Sequence, residues 1–440
     1  MATRVSNPSR PLDVAVVGGG VAGLVTATLA ARSGLRVALW EKAHELGGRA
    51  ASRTRDGVVF NMGPHALYRA GEGVRVLAEL DISTAGGVPG VNGGYALYGG
   101  KRHTLPGGLV SLLTTRLFGV PGKLEAARLL GTLARVETAP LASVPLREWL
   151  ATTVRDPRAR RFLGALFRVA TYAADEAQSA GAAIEQLRRA LAKGVTYLDG
   201  GWQTIVDRLG VAAAAAGVEV VTGRRVDAVE PTDGGWRIRL AGGASRAAVA
   251  AVVAGAPSDA AAVVHGAVRA TLERWAAAAR PVRAACLDLA LSRLPAPRAL
   301  FALGVDQRVY LSVHSAVARL APPGVASVQV AKYLDAERDG DPSADERELE
   351  GVLDLVQPGW RDVVLQRRYL PRMVVTNALV TAEAGGLAGR PGPAVAGAEG
   401  LYVVGDWVGP EGMLVDASLA SARRAALLLA RDASARSAAA

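Results

Sequence analysis

The stretch LDVAVVGGGVAGLVTATLAARSGLRVALWEK, residues 12–42, decides how the rest of the chain is read. Its first six residues are β-rich and apolar, and three glycines follow. An alanine-rich run then continues to Gly34, where a helix would end. RVALWEK, residues 36–42, reads as the next strand. Strand, glycine turn, helix and strand at this spacing fit a right-handed parallel crossover. Within the turn, Gly18-x-Gly20-x-x-Gly23 gives each glycine a task. The first permits the tight turn, the second lets a pyrophosphate approach the backbone, and the third lets helix and strand pack closely. Val21 and Ala22 lie in the glycine segment that leads into the helix, whose N-terminal N–H groups and dipole favour an anion. Glu41 ends the second strand, about twenty residues past the glycines, with Lys42 beside it. There a carboxylate accepts both hydroxyls of an adenosine ribose and repels a 2′-phosphate. The pattern predicts a bound dinucleotide other than NADP.

Outward from this unit the alternation of strand and helix stops near Asp81. A glycine-rich stretch, residues 86–108, suggests hairpins, and mainly helical sequence runs over 109–193. Alternation returns with a helix in GWQTIVDRLGVAAAAAG, a strand in VEVVTG, and a hairpin turned at Asp233, Gly234 and Gly235. AAVAAVVAGAP is a buried strand. A second irregular block holds the strand-like runs RAACLDLALS, RVYLSVHS and VASVQVAKYL, then a helix whose capping box is read at Ser343 and Glu346. GLYVVGDW and an alanine-rich helix from about Ala417 close the chain. The expected architecture is α/β: residues 1–80, 196–265 and 395–440 form a Rossmann-like nucleotide-binding domain. Residues 81–195 and 266–394 form a discontinuous α+β substrate domain.

Three further segments carry a family resemblance. ELGGRAAS, with Gly47, Gly48 and Arg49, resembles the signature that follows the second strand in the flavin amine oxidase, protoporphyrinogen oxidase and phytoene desaturase superfamily. VVFNMGPHALY, with Gly63, Pro64 and His65, resembles the strand and turn beneath the flavin of those proteins. LYVVGDWVGPEGMLVDASLASARRAALLL resembles their closing segment. The resemblance implies a GR2-type fold holding non-covalent FAD. Arg49 would pair with the pyrophosphate through a planar fork of donors. Val226 would offer backbone contacts to adenine. Gly405 and Asp406 would lie at the cofactor, with Asp406 bonded to the ribityl chain or to a phosphate-bound water. Gly412, Met413, Leu414, Val415 and Ala417 would face the flavin, where a helix N-terminus stabilises the charge of reduction. Where many relatives carry Glu-Gly-Ala, this chain has Val415–Asp416–Ala417, and Asp416 is expected to cap its own helix or to oppose reduction. His65 is the first catalytic candidate. Tyr310 and His314, four residues apart on one predicted strand, are the next.

The resemblance implies hydride removal from carbon, with FAD as acceptor. Amine oxidases of this class commonly carry a flavin-facing lysine in a substrate-domain strand. Residues 283–291 correspond to that strand by position, and they contain no lysine. Dehydrogenation or desaturation of an apolar or polycyclic substrate is therefore the leading expectation. An amine oxidase, a redox-neutral isomerase or mutase, and a non-catalytic flavin-binding partner are the alternatives. No second GxGxxG follows a strand, so reoxidation is expected from oxygen, a quinone or another free acceptor.

Composition narrows the remaining classes. The formal net charge is +11, but the arginines are interspersed with acids and alanines, which argues against nucleic acid. Half the residues are hydrophobic and 21% are charged, which suits a soluble protein with sizeable cores. The single Cys286 excludes an intrachain disulfide, and no cysteine cluster suggests a metal. The acidic loop DAERDGDPSADERE lacks the alternating oxygens and closing glutamate of a calcium loop, so no metal is expected. No run reads as a signal peptide or a membrane span. A cytoplasmic protein is expected, with peripheral membrane contact left open.

Overall fold

The computed structural model describes residues 12–90, 93–175, 177–335 and 340–439. Leu12–Val17 lies inside a parallel sheet, with Val37–Trp40 on one side and Ser245–Val253 on the other. Glu219–Val221 extends the sheet past Val37–Trp40, and Leu401–Val403 pairs with the far half of Ser245–Val253, both in parallel. The near half of Ser245–Val253 carries an antiparallel ribbon of Gly235–Leu240 and Val226–Thr232, turned at Asp233 and Gly234. Successive side chains leave a strand on opposite faces, and both faces are covered here. Val14, Val16, Leu39 and Val252 pack under the helices Val21–Arg32, Gln203–Ala215 and Leu414–Ala439. Ala15, Ala38, Trp40 and Val253 pack on the other side with Trp236, Ile238 and Trp407.

A second, mixed sheet is built from Val364–Thr376, Val282–Leu291, Ala326–Tyr333, Val309–Val313, Phe301–Gly304, Tyr95–Tyr98 and Lys101–Thr104, in that order. One face, with Leu287, Leu289, Leu311 and Val330, packs on the helix Pro342–Val356 and on Trp360. The other, with Ala284, Cys286, Tyr310 and Tyr333, is covered by the helical layer spanning residues 109–193. The hairpin expected in the glycine-rich stretch is Tyr95–Tyr98 with Lys101–Thr104, although residues 91 and 92 of that stretch lie outside the described residues. Residues 1–11 of the first segment lie outside them too.

Four local expectations change. The helix Arg269–Ala278, reckoned to the second unit, packs with the first: Leu272 joins the core around Trp40 and Val253, and Trp275 meets Trp407 edge to face. The helix Pro342–Val356 is capped by Asp341, whose carboxylate accepts from the Ser343 N–H at 2.9 Å. Ser343 is thus inside the helix rather than its cap, because Pro342, with φ preset, is suited to the first helical position. Residues 336–339 of the acidic loop lie outside the described residues. The closing helix starts at Leu414, three residues before Ala417, and Leu414 itself has φ +56°. Finally, the strand Val309–Val313 ends before His314, which begins a 3-10 turn, so His314 and Tyr310 do not share a strand.

Candidate active site

The glycine turn has the shape its three glycines demand. Gly18 has φ +110°, and a Cβ there would sit 2.5 Å from the Ala254 carbonyl oxygen. A Cβ on Gly23 would sit 2.0 Å from the Gly18 oxygen, so only glycine lets the helix lie this close to the turn. At Gly20 the nearest atom to such a Cβ is 3.9 Å away, leaving a shallow bay at the helix N-terminus. Gly20 is the N-cap of Val21–Arg32, and no side chain caps that end. Half-buried Val21 and buried Ala22 form the first turn. Unpaired N–H groups beside an open bay are what an anion requires.

Glu41 is held at the rim of the same bay. Its two carboxylate oxygens accept from the Gly19 N–H at 2.7 Å and the Ala43 N–H at 2.8 Å. Each oxygen keeps a lone pair for a further donor, as ribose hydroxyls would supply. Arg224 N–H donates to the Glu41 carbonyl, and this segment leads into buried Val226 at the start of its strand. Lys42 is exposed. Gly47 closes the other side: its N–H donates to the Gly19 oxygen, and Gly48 begins a short 3-10 turn carrying Arg49.

Arg49 then reaches the far end of the chain. Its Nη1 lies 2.7 Å from Asp406 Oδ2 and 2.9 Å from the Val375 oxygen. Asp406 is buried and also accepts from the Asn377 N–H and side-chain amide. Burial alone would raise its pKa, but Arg49 and these hydrogen bonds outweigh it and hold the carboxyl below its ordinary range. The guanidinium has five donors, and those beyond Nη1 meet no acceptor among the described residues. The Arg390 guanidinium shapes the loop after Gly405 and Asp406, donating to the Asp406 oxygen at 3.0 Å and the Gly412 oxygen at 2.7 Å. Burial lowers its pKa to about 10. A small cavity lies here, lined by Arg390, Asp406, Met413, Leu414, Thr376 and Val282 among others. Val415 is half-buried and Ala417 fully buried on the helix that follows.

Asp416 neither caps its own helix nor lies exposed. Its Oδ1 accepts from the Gly73 N–H at 2.8 Å, so it caps the neighbouring helix Glu72–Glu79. Gly71 makes room for it: a Cβ there would lie 2.1 Å from Asp416 Oδ2. Burial raises the Asp416 pKa to about 6.

The turn at Gly63 and Pro64 links the two sheets. His65 Nδ1 faces the Gly63 oxygen at 3.0 Å and Nε2 the Arg49 oxygen at 3.1 Å, so the ring braces the turn against the Arg49 loop. Burial is the main reason its pKa falls below the ordinary value. The second sheet supplies the opposite wall: a Cβ on Gly63 would meet Met373 Sδ at 2.5 Å and Cys286 Sγ at 3.1 Å. Next to it, buried Asp288 pairs with Arg368, which also donates to the Asn61 oxygen. Burial raises the Asp288 pKa to about 6 despite that partner.

Tyr310 and His314 lie deeper in the second unit, away from the glycine turn. Tyr310 stacks on Tyr333 and its hydroxyl is 3.2 Å from that of Tyr172. His314 stacks on Tyr197 with ring centres 3.8 Å apart, and burial, then His65, lowers its pKa to about 3. It is a neutral ring at physiological pH. Sequence reasoning missed Asn377, Arg390, Asp288 and Arg368. Asn377 and Arg390 sit in irregular sequence with no local pattern, whereas Asp288, a lone charge in an apolar strand run, was a visible signal.

The profile of the family described as flavin containing amine oxidoreductase matches residues 21–289, more than half of the chain. The carotenoid 3,4-desaturase of Haloarcula japonica is 52% identical over 52 residues, which is 12% of this chain and 10% of that protein. That likeness leaves most of the relative's length unmatched. An oxidoreductase from Methanosarcina mazei superposes with TM-score 0.74 at 19% identity, over 93% of this chain and 99% of that one. The cyclohexylamine oxidase of Brevibacterium oxydans gives TM-score 0.73 at 16% identity, over 97% of this chain and 100% of that one. At these identities the structural likenesses speak to fold.

Proposed function

The chain belongs to the flavin containing amine oxidoreductase family, and from that premise we propose that it is an FAD-dependent dehydrogenase or desaturase acting on an apolar or polycyclic substrate. Oxidoreductase chemistry with a flavin follows from the family. FAD, its non-covalent attachment and the substrate class are the proposal. The observation that carries it is the Arg49–Asp406 pair, which draws the glycine turn and the closing segment onto one cleft. When bound there, the flavin supplies a two-electron acceptor for hydride. The bay at Gly20 would take the pyrophosphate, Glu41 the ribose, and Arg49 a phosphate through its uncommitted donors. Burial holds the Cys286 thiol well above its ordinary pKa, so it is not the thiolate that a covalent link would take.

Support for the substrate class comes from the wall opposite Gly63. Cys286, Met373 and Leu370 are apolar there, with Tyr310 and Tyr333 behind them. Asp288, the one carboxylate of that strand face, is buried with its Oδ2 paired to Arg368, and its Oδ1 has no hydrogen-bond partner among the described residues. His65, whose neutral ring has one N–H to give to either the Gly63 or the Arg49 carbonyl, acts as a positioning group. Reoxidation by oxygen, a quinone or another free acceptor completes the cycle.

The test is spectroscopic. Purified protein should carry the yellow absorbance of bound FAD, released by acid or heat without proteolysis. Under anaerobic conditions a polyene or polycyclic substrate should bleach it, and a primary amine should not. Bleaching by amines alone would favour the amine oxidase reading, and colourless protein that ignores added FAD would overturn the proposal.

A further inference from the structure

Residues 109–124 break the rule that this protein hides its large apolar side chains. Leu109, Val110 and Leu113 on the short helix Leu109–Thr114, and Val120 and Leu124 on the helix Val120–Thr132, are each 62–75% exposed. Five of the ten strongly exposed large apolar side chains among the described residues stand in these sixteen positions. They share one ledge. Leu109 and Leu113 are four apart on one helix and Val120 and Leu124 four apart on the next, so each pair lies on one helix face. The Lys123 ammonium, set between Val120 and Leu124, donates to the Leu113 oxygen and ties the two helices together. A contiguous exposed apolar surface of this kind marks an interaction site.

The ledge is also rimmed by one sign of charge. Between residues 101 and 135 there are six basic side chains, Lys101, Arg102, Arg116, Lys123, Arg128 and Arg135, against the single carboxylate of Glu125. Glu125 is turned inward, accepting from the Arg155 and Asp156 N–H groups. Asp156, which lies against Gly122, is spent on capping the helix Pro157–Thr171, and exposed leucines with a basic rim complement a surface that is apolar within and anionic at its face. We propose that this ledge seats the protein on the surface of an anionic lipid bilayer. No described helix is long and apolar enough to cross a membrane, so the contact is with one leaflet. Beneath the ledge, Leu112, Leu117 and Phe118 belong to the same packed cluster as Cys286, Tyr310 and Tyr333. The docked face and the apolar wall of the candidate site therefore share one packed core. This route for a lipid-dissolved substrate rests on the function proposed above, whereas the docking itself does not.

Vesicle flotation of the full chain tests it, with phosphatidylcholine vesicles and phosphatidylcholine vesicles containing phosphatidylglycerol. The protein should float with the anionic vesicles, less so with the neutral ones, and should be released as salt is raised. The variant L109S/L113S/L124S should bind roughly a hundredfold more weakly. The variant R116E/R128E should bind roughly tenfold more weakly. All these side chains are exposed, so unchanged melting temperature and flavin absorbance would show that the variants are folded. Wild-type protein that stays with the buffer, or a leucine variant that floats undiminished, would overturn the proposal. So would a lipid-free dimer that the leucine variant dissociates, because the ledge would then be a protein–protein face. Flotation reads binding alone, so its failure leaves the oxidoreductase reading standing, and a flavin that no apolar substrate bleaches leaves the docking standing.

Discussion

Arg49 and Asp406 are 357 positions apart, yet each makes the other tolerable. Asp406 is 2% exposed, and a carboxylate that deep is costly unless paired. In Arg49→Ala the aspartate keeps its Asn377 and Thr376 partners but no cation at hydrogen-bond distance. We expect a loss of about 2 kcal/mol at neutral pH, below the usual cost for a buried pair because Arg49 itself is partly solvated. The sign with pH can be worked out. Asp406 has a depressed folded pKa, so its contribution is present above the ordinary carboxylate range and is lost as pH falls through the folded value. The variant lacks that contribution, so its deficit against wild type should narrow on acidification. Urea titrations at neutral pH and at a pH below the ordinary carboxylate range would check this, and a pH-independent deficit would tell against the pair. FAD content should fall in the same variant. Gly23→Ala is sharper in cause: its Cβ would meet the Gly18 oxygen, forcing turn and helix apart. A loss of about 1–3 kcal/mol with weakened FAD binding is expected, read by melting temperature and absorbance ratio. Gly18, Gly20, Gly23 and Glu41 were legible because their tasks are local and recur at fixed spacing. Arg390 was not. Nothing near it in sequence says that its guanidinium will hold the carbonyls of Asp406 and Gly412, since that task exists only after the chain has closed.

Elements were easier to find than their ends. The crossover strands, the Asp233–Gly234 hairpin and the helical layer all follow from periodicity and turn chemistry. Boundaries moved where a neighbouring residue had a stronger claim: Pro342 displaced the cap from Ser343 to Asp341, and the 3-10 turn removed His314 from its strand. Asp416 was misread for another reason. A residue in the first turn of a helix looks like that helix's own cap, but Gly71 and Gly73 open a space through which it caps Glu72–Glu79 instead. Capping between helices is invisible to local pattern. It has a measurable cost. Asp416 Oδ2 is buried without a partner, and the pKa is raised from 3.8 to about 6. A carboxyl with a raised folded pKa favours the fold while protonated, so wild-type stability should decline as pH rises from about 4 to about 6 and then level off. Asp416→Asn keeps an acceptor for Gly73 and removes the charge. Relative to wild type it should gain on the order of 2–3 kcal/mol between those limits. Parallel stability curves for the two proteins would show that the charge is not the cause.

The whole molecule places two sheets so that chain segments far apart in sequence meet. The helix Val21–Arg32 packs along Leu414–Ala439, the Arg49 loop meets Asp406, and the Gly63 turn meets Met373 and Cys286 of the second sheet. Two motif-bearing ends and a middle without motifs were legible; the register of the second sheet was not, because its strands are set by long-range pairing. This closure predicts cooperative behaviour. A ligand that binds only the folded state stabilises it in proportion to the logarithm of its concentration over its dissociation constant. If one FAD spans the cleft, its removal should loosen every segment that touches it, however distant in sequence. Hydrogen exchange of flavin-stripped against flavin-loaded protein should therefore lose protection together at residues 18–24, 41–49 and 405–417. The helix Pro342–Val356, packed on the face of the second sheet opposite Cys286, should change least. Restoring FAD should recover all three segments with a single concentration dependence. Separate dependences, or protection lost only at the glycine turn, would mean that the amino- and carboxyl-terminal motifs do not hold the same molecule.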